Sequence, residues 1–188
     1  MNDIIHDSEG NSYPTIKIGN QIWMAENLKT NQFSDGTAIP MIANGYEWQN
    51  SDTSCQCIYD NNEDYLVFGR LYNWFCIKQG NLCPEGWRIP TLEDWKELAE
   101  NFGGFPIAGK ALQNENEFNA KLAGSRFGSF EGIGKSVYYW TASTDKNQPD
   151  LPPPGKTSKA ICLKKDHEVI SVSEEYQIEG FYIRCIKI

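Results

Sequence analysis

The chain has 188 residues, 40% hydrophobic and 22% charged, which suits one domain with a real core and is far from a disordered composition. Its formal net charge is −8, from 17 Lys and Arg against 25 Asp and Glu, which argues against nucleic acid as a partner. No basic run suits an anionic lipid surface, no apolar stretch approaches the ~18 residues of a membrane span, and Met1-Asn2-Asp3-Ile4-Ile5-His6-Asp7 lacks the regions of a signal peptide, so an exported protein of this sequence would be a trimmed form.

Ser12-Tyr13-Pro14-Thr15-Ile16-Lys17-Ile18 alternates apolar and polar residues, Gly19-Asn20 is a turn dipeptide, and Gln21-Ile22-Trp23-Met24 resumes the pattern. This reads as a hairpin with an inward apolar face. Residues 30–65 are polar and turn-rich, a loop length that is often functional, and they hold Tyr46, Trp48, Tyr59 and Tyr65. Gly69-Arg70-Leu71-Tyr72-Asn73-Trp74-Phe75 is a short helix or strand, followed by a turn through Cys83-Pro84-Glu85-Gly86-Trp87.

The clearest helix begins at Thr91, whose hydroxyl can accept the Asp94 N–H, while Glu93 and Asp94 suit the positive end of the macrodipole. Leu92, Trp95, Leu98, Ala99 and Phe102 form its apolar stripe, and Gly103-Gly104 stops it. A second helix is expected over about 108–116, with Ile107, Ala108, Ala111 and Leu112 inward. Gly124, Gly128, Gly132 and Gly134 suggest tight turns, and they match no phosphate loop. Strands are expected at Tyr138–Ser143, Lys159–Leu163, Val169–Ser173 and Gly180–Ile186, with a proline-rich loop between the first two. Helices between terminal strands make an α+β domain, in which first and last strands can share a sheet.

Cysteines stand at 55, 57, 76, 83, 162 and 185. An even count in an acidic, loop-rich chain leans toward disulfides and export, with buried free thiols as the alternative; six cysteines allow about 15 pairings. Cys55-Gln56-Cys57 is C-x-C, and neither His6 nor His167 lies near a cysteine in sequence, so no zinc site is expected.

Several pieces, in order, resemble the Fibrobacter succinogenes major paralogous domain family of bacterial surface proteins. They are Gly19–Lys29, Gly69–Trp74, Cys83–Thr91 with Trp95, Tyr139–Ser143, and Gly180–Cys185. The resemblance spans about Gly10 to Ile188 and implies a C-type-lectin-like fold, with two main helices, antiparallel strands and long irregular loops. It brings no activity with it, since fold does not settle function. Cys83 and Cys185 fall within the recurring motifs and are the pair that the resemblance suggests as a bridge; Cys76 and Cys162 depart from the pattern and are the candidate second pair.

Arg88-Ile89-Pro90-Thr91 with Trp95 is also similar to formylglycine-generating enzymes, which work through copper-binding cysteines. That chemistry needs a thiolate in a positive neighbourhood, and Asp52, Asp60, Glu63 and Asp64 surround the Cys55–Cys57 pair in sequence. His6 and His167 are poorly placed for a triad, and Glu63/Asp64 and Glu174/Glu175 read as solvated charge. A calcium site has two echoes, Gln148-Pro149-Asp150 and Asp60-Asn61-Asn62-Glu63-Asp64, each short of ligands, so no cofactor is expected. The expectation is a non-catalytic extracytoplasmic module. Its loops, with Tyr46, Trp48 and Tyr65 as a candidate platform, would bind carbohydrate or a surface protein, and Trp48 reads equally as a core plug under the loop. The alternative is a structural assembly domain.

Overall fold

The computed structural model describes residues 3–144 and 155–188. In chain order the elements are β1 (Ile4–His6), β2 (Ser12–Ile18), β3 (Gln21–Met24), α1 (Gly45–Gln49), β4 (Gln56–Cys57), β5 (Leu71–Tyr72), α2 (Phe75–Lys78), β6 (Trp87–Arg88), α3 (Leu92–Glu100), α4 (Gly109–Gln113), β7 (Ala123–Phe127), β8 (Ser129–Ile133), β9 (Ser136–Trp140), β10 (Thr157–Lys164), β11 (Ser171–Tyr176) and β12 (Ile186–Lys187). Two 3₁₀ turns, Tyr59–Asn61 and Glu63–Phe68, lie between β4 and β5. The architecture is α+β with strands dominating.

The hairpin closes as the alternation predicts, with Ile18 opposite Gln21 across the Gly19-Asn20 turn. It extends into a five-stranded sheet of order β1-β2-β3-β12-β6. Ile186 pairs with Trp23, so the last strand joins the first hairpin. A second five-stranded sheet, β11-β10-β9-β7-β8, is antiparallel except where Gly124 of β7 meets Val137 of β9. The spaced glycines 124, 128, 132 and 134 all have positive φ, the backbone that L side chains resist.

The helix expected at Thr91 forms with a reciprocal capping box: Thr91 Oγ1 accepts the Asp94 N–H at 3.3 Å and Asp94 accepts the Thr91 N–H at 2.6 Å. Arg88 grips the same carboxylate through two bonds of 2.6 and 2.8 Å. Burial opposes the charge on Asp94, and the Arg88 and Thr91 hydrogen bonds outweigh it, holding the carboxyl below its ordinary range. Trp95 then packs on Trp23, Phe118 and Tyr139 at centroid distances of 5.1, 5.5 and 5.2 Å.

The second helix is shorter than expected: only Gly109–Gln113 is helical. Ile107, expected inward, is 54% exposed. It precedes the helix and folds against Gly103, so it never joins the apolar stripe.

The expected strand over Gly180–Ile186 is mostly not a ladder. Gln177–Cys185 threads between elements instead, and its carbonyls accept from Trp74, Arg126, Tyr72, Trp140, Leu28 and Met24 in turn. Residues 177–186 are all buried. This strip ties both sheets to the β5 region.

The Cys83–Cys185 disulfide suggested by the resemblance is present. The second pair is not: Cys76 and Cys162 are both free and buried. Cys76 lies on α2 with its thiol on Cys55 O at 3.4 Å and Asn73 Oδ1 at 3.5 Å. Cys162 lies on β10 opposite Tyr138. Each thiol packs against its own neighbours, on separate elements. No helix among the described residues is long and apolar enough to cross a membrane.

Candidate ligand-binding site

The three aromatic candidates separate. Tyr46 is 77% exposed on α1, whose amides are capped by Asn44 Oδ1 at 2.9 and 3.1 Å. Trp48, one turn position away, is fully buried, and its Nε1–H donates to Ile178 O at 2.7 Å. It is therefore a plug and cannot belong to an open platform. Arg126 lies over its ring, Cζ to centroid 4.3 Å, and donates to the carbonyls of Ile42 and Ala43, which fixes the approach to α1. Tyr65 is half-buried, edge-on to Tyr59 at 5.4 Å and stacked on Phe68 at 6.0 Å. No ring contact joins Tyr46 to Tyr65 among the described residues.

Tyr65 leads to a pocket that the sequence reading missed. The Glu63–Phe68 turn is capped by Asn62 Oδ1, which accepts the Asp64 N–H at 3.0 Å. It ends at Gly69, φ 92°, where a Cβ would stand 2.8 Å from both Asn27 Cβ and Leu28 O. Only glycine allows this approach, and Asn27 Nδ2 then donates to Phe68 O at 2.8 Å. Between this turn and the end of β3 lies a cavity of about 120 Å³, lined in part by Glu26, Asn27, Phe68, Asn119, Lys121 and Arg184.

Arg184 is its cationic floor, only 1% exposed. Nε and Nη2 donate to Asn27 Oδ1 at 3.1 and 2.9 Å, Nη1 donates to Phe118 O, and Nη2 reaches Asn119 O at 3.4 Å. The guanidinium stacks on Phe118 at 4.3 Å. All these partners are neutral, and no carboxylate among the described residues forms an ion pair with it. Burial pushes its pKa down, with Tyr139 and Glu26 pulling it back up. Glu26 is itself paired to Lys29 at 2.5 Å. The sequence carried one signal for this site: an arginine inside the apolar run Phe181-Tyr182-Ile183-Arg184-Cys185-Ile186.

A larger cleft of about 340 Å³ lies beside the disulfide, lined by Ile77, Cys83, Arg88, Ile89, Thr91 and Ala142 among others. Both polar residues there are committed to Asp94.

The free thiols are unsuited to nucleophilic work. Burial pushes Cys55 up to about 12 and Cys57 up to about 11, and raises Cys76 and Cys162 as well. Of the calcium echoes, Gln148-Pro149-Asp150 lies outside the described residues. In the other, Asn61 and Asn62 spend their side chains on Ala43 O and the Asp64 amide. Among the described residues no three His, Cys, Asp or Glu side chains converge as a metal site would need.

Fold and site together define an α+β domain whose loops present an aromatic turn and a charged pocket, with its free thiols buried and the half-buried Asp94 carboxylate held by Arg88 and Thr91. The chain matches the family described as Fibrobacter succinogenes major domain over residues 16–187, and it belongs to that family. No curated protein and no solved structure matches it.

Proposed function

We propose that the chain is a non-catalytic ligand-recognition module with a C-type-lectin-like fold, acting at a bacterial cell surface or as a secreted domain. Its ligand is a carbohydrate or a protein partner. The observation that carries this reading is the Asn62-capped turn that holds Tyr65 and Phe68 stacked beside an open pocket. A fixed aromatic edge next to convergent polar groups is a recognition geometry, and it orders without further entropy cost on binding. The extracytoplasmic placement draws support from the Cys83–Cys185 bridge, which suits an oxidising compartment. The raised thiol pKa values count against a formylglycine-generating-like oxidase that works through its free cysteines.

A glycan array probed with the purified chain and with Tyr65→Ala tests the proposal. Binding to a defined glycan set that Tyr65→Ala weakens about tenfold supports it. A stable stoichiometric self-complex with no glycan signal would favour the assembly reading instead.

A further inference from the structure

The pocket below Phe68 has an imbalance of charge. Arg184 is buried on neutral acceptors, Lys121 lines the same cavity with no ion-pair partner among the described residues, and Glu26, the carboxylate on the wall, is already paired with Lys29. Two cations therefore face about 120 Å³ of space in a chain whose net charge is −8. Glu26 offsets the buried charge of Arg184 only in part, because it is shared with Lys29, and a focused positive spot in an acidic protein draws anions that the rest of the surface repels. A second observation lies in the same wall. Asn119 has φ 58°, and its Oδ1 is buried with no donor. Buried acceptors are almost always satisfied, so this oxygen would gain from a hydroxyl donor once a small shift of the pocket wall admits one.

Cation and orphan acceptor ask for different groups on one ligand: a carboxylate and, near it, a hydroxyl donor. The volume admits a carboxylate with a hydroxyl but leaves a sugar ring at the mouth, where Val67 is 69% exposed and Phe68 offers an apolar wall stacked on Tyr65. We propose that this pocket takes the carboxylate of a uronic-acid residue, with the sugar ring resting on the Val67–Phe68 edge. The carboxylate meets Lys121 at the mouth and the field of Arg184 at the floor, and a ring hydroxyl donates to Asn119 Oδ1. This rests on the recognition reading above and names its ligand class.

The test is a titration of the ¹⁵N-labelled chain followed by NMR, with methyl glucuronide, methyl glucoside, acetate and inorganic phosphate as separate probes. Lys121→Met, an exposed position, is run beside it. The inference expects methyl glucuronide to shift the amides of Asn27, Asn119 and Arg184, and to bind about tenfold more weakly to Lys121→Met, the loss of one charge-assisted hydrogen bond. Methyl glucoside should leave those amides unmoved. Equal response to glucuronide and glucoside, or glucuronide binding that ignores Lys121→Met, overturns it. Phosphate or acetate binding as tightly as glucuronide also overturns it, because the site is then a simple anion hole. A glycan array positive for neutral glycans with no glucuronide shift here defeats this inference and leaves the recognition reading standing.

Discussion

Arg126 and Arg184 are built alike and end differently. Both are 1% exposed, both lay the guanidinium 4.3 Å over an aromatic ring, and both donate to main-chain carbonyls. Arg126 is closed in, sandwiched between Trp48 and Phe130, and it holds the carbonyls of Ile42 and Ala43 at the rim. Arg184 borders a cavity and holds its acceptors in the interior. The same side chain is a rivet in one place and the floor of a site in the other. What separates them is whether space and a second cation lie beside it.

Breaking the Cys83–Cys185 bridge should separate the two most sharply. Its loop spans 102 residues, and loop-closure entropy alone assigns it about 4–5 kcal/mol. Cys185→Ser is expected to lower the unfolding free energy from urea titration by an amount of that order and to increase hydrogen exchange around Arg184 before Arg126. Simultaneous exchange at both would show the strip to be anchored by its neighbours instead.

Arg184→Met comes next, at about 3 kcal/mol, because it leaves Asn27 Oδ1 and Phe118 O in the interior without a donor. Arg126→Met should cost less, about 1–2 kcal/mol, since Ala43 is exposed and water can replace the lost donor there. Denaturation curves that rank these variants the other way would remove the distinction between rivet and floor.

The Arg126 end also carries a pH signature near neutrality, through Glu179. Burial pushes Glu179 up to about 7, with Glu175 and Glu131 adding repulsion and the Gly128 amide opposing them. Its Oε2 is buried without a partner. With a folded pKa above the unfolded one, the native state holds more protons between about 4.5 and 7. Stability therefore falls as pH rises through that window, and the penalty is complete above it. Glu179→Gln should be about 2 kcal/mol more stable than the natural chain at pH 8, the full shift reduced because solvent screens the partly exposed carboxyl, and equal to it near pH 4. Parallel stability profiles for the two proteins would show that Glu179 ionises freely in the fold.

The parts of this structure that depend on neighbours in sequence were legible. The Ser12–Met24 hairpin follows from alternation and a turn dipeptide, and the Thr91 cap from a hydroxyl three residues before a carboxylate. Cys83–Cys185 was reachable through the family motifs alone. What depends on distant partners was not legible. The sequence leaves Trp48 between a loop platform and a core plug, because nothing local announces the Ile178 carbonyl that receives its N–H. Gly180–Ile186 has strand composition, yet its hydrogen bonds go to many different elements, which no period reports. The pocket gathers Asn27, Phe68, Asn119, Lys121 and Arg184 from across the chain, and no spacing relates them.

The bridge near β12 also has a mechanical meaning. A pull on the chain's two ends would load the pairs that Ile186 and Lys187 make with Trp23, Arg88 and Trp87. Their peeling then meets a covalent stop at Cys185, and tension passes straight to Cys83. The 102-residue loop between them carries no load, which withholds roughly 350 Å of contour length from extension. The second sheet, β7 to β11, lies wholly in that loop and keeps its shape under a force that could strip the ends.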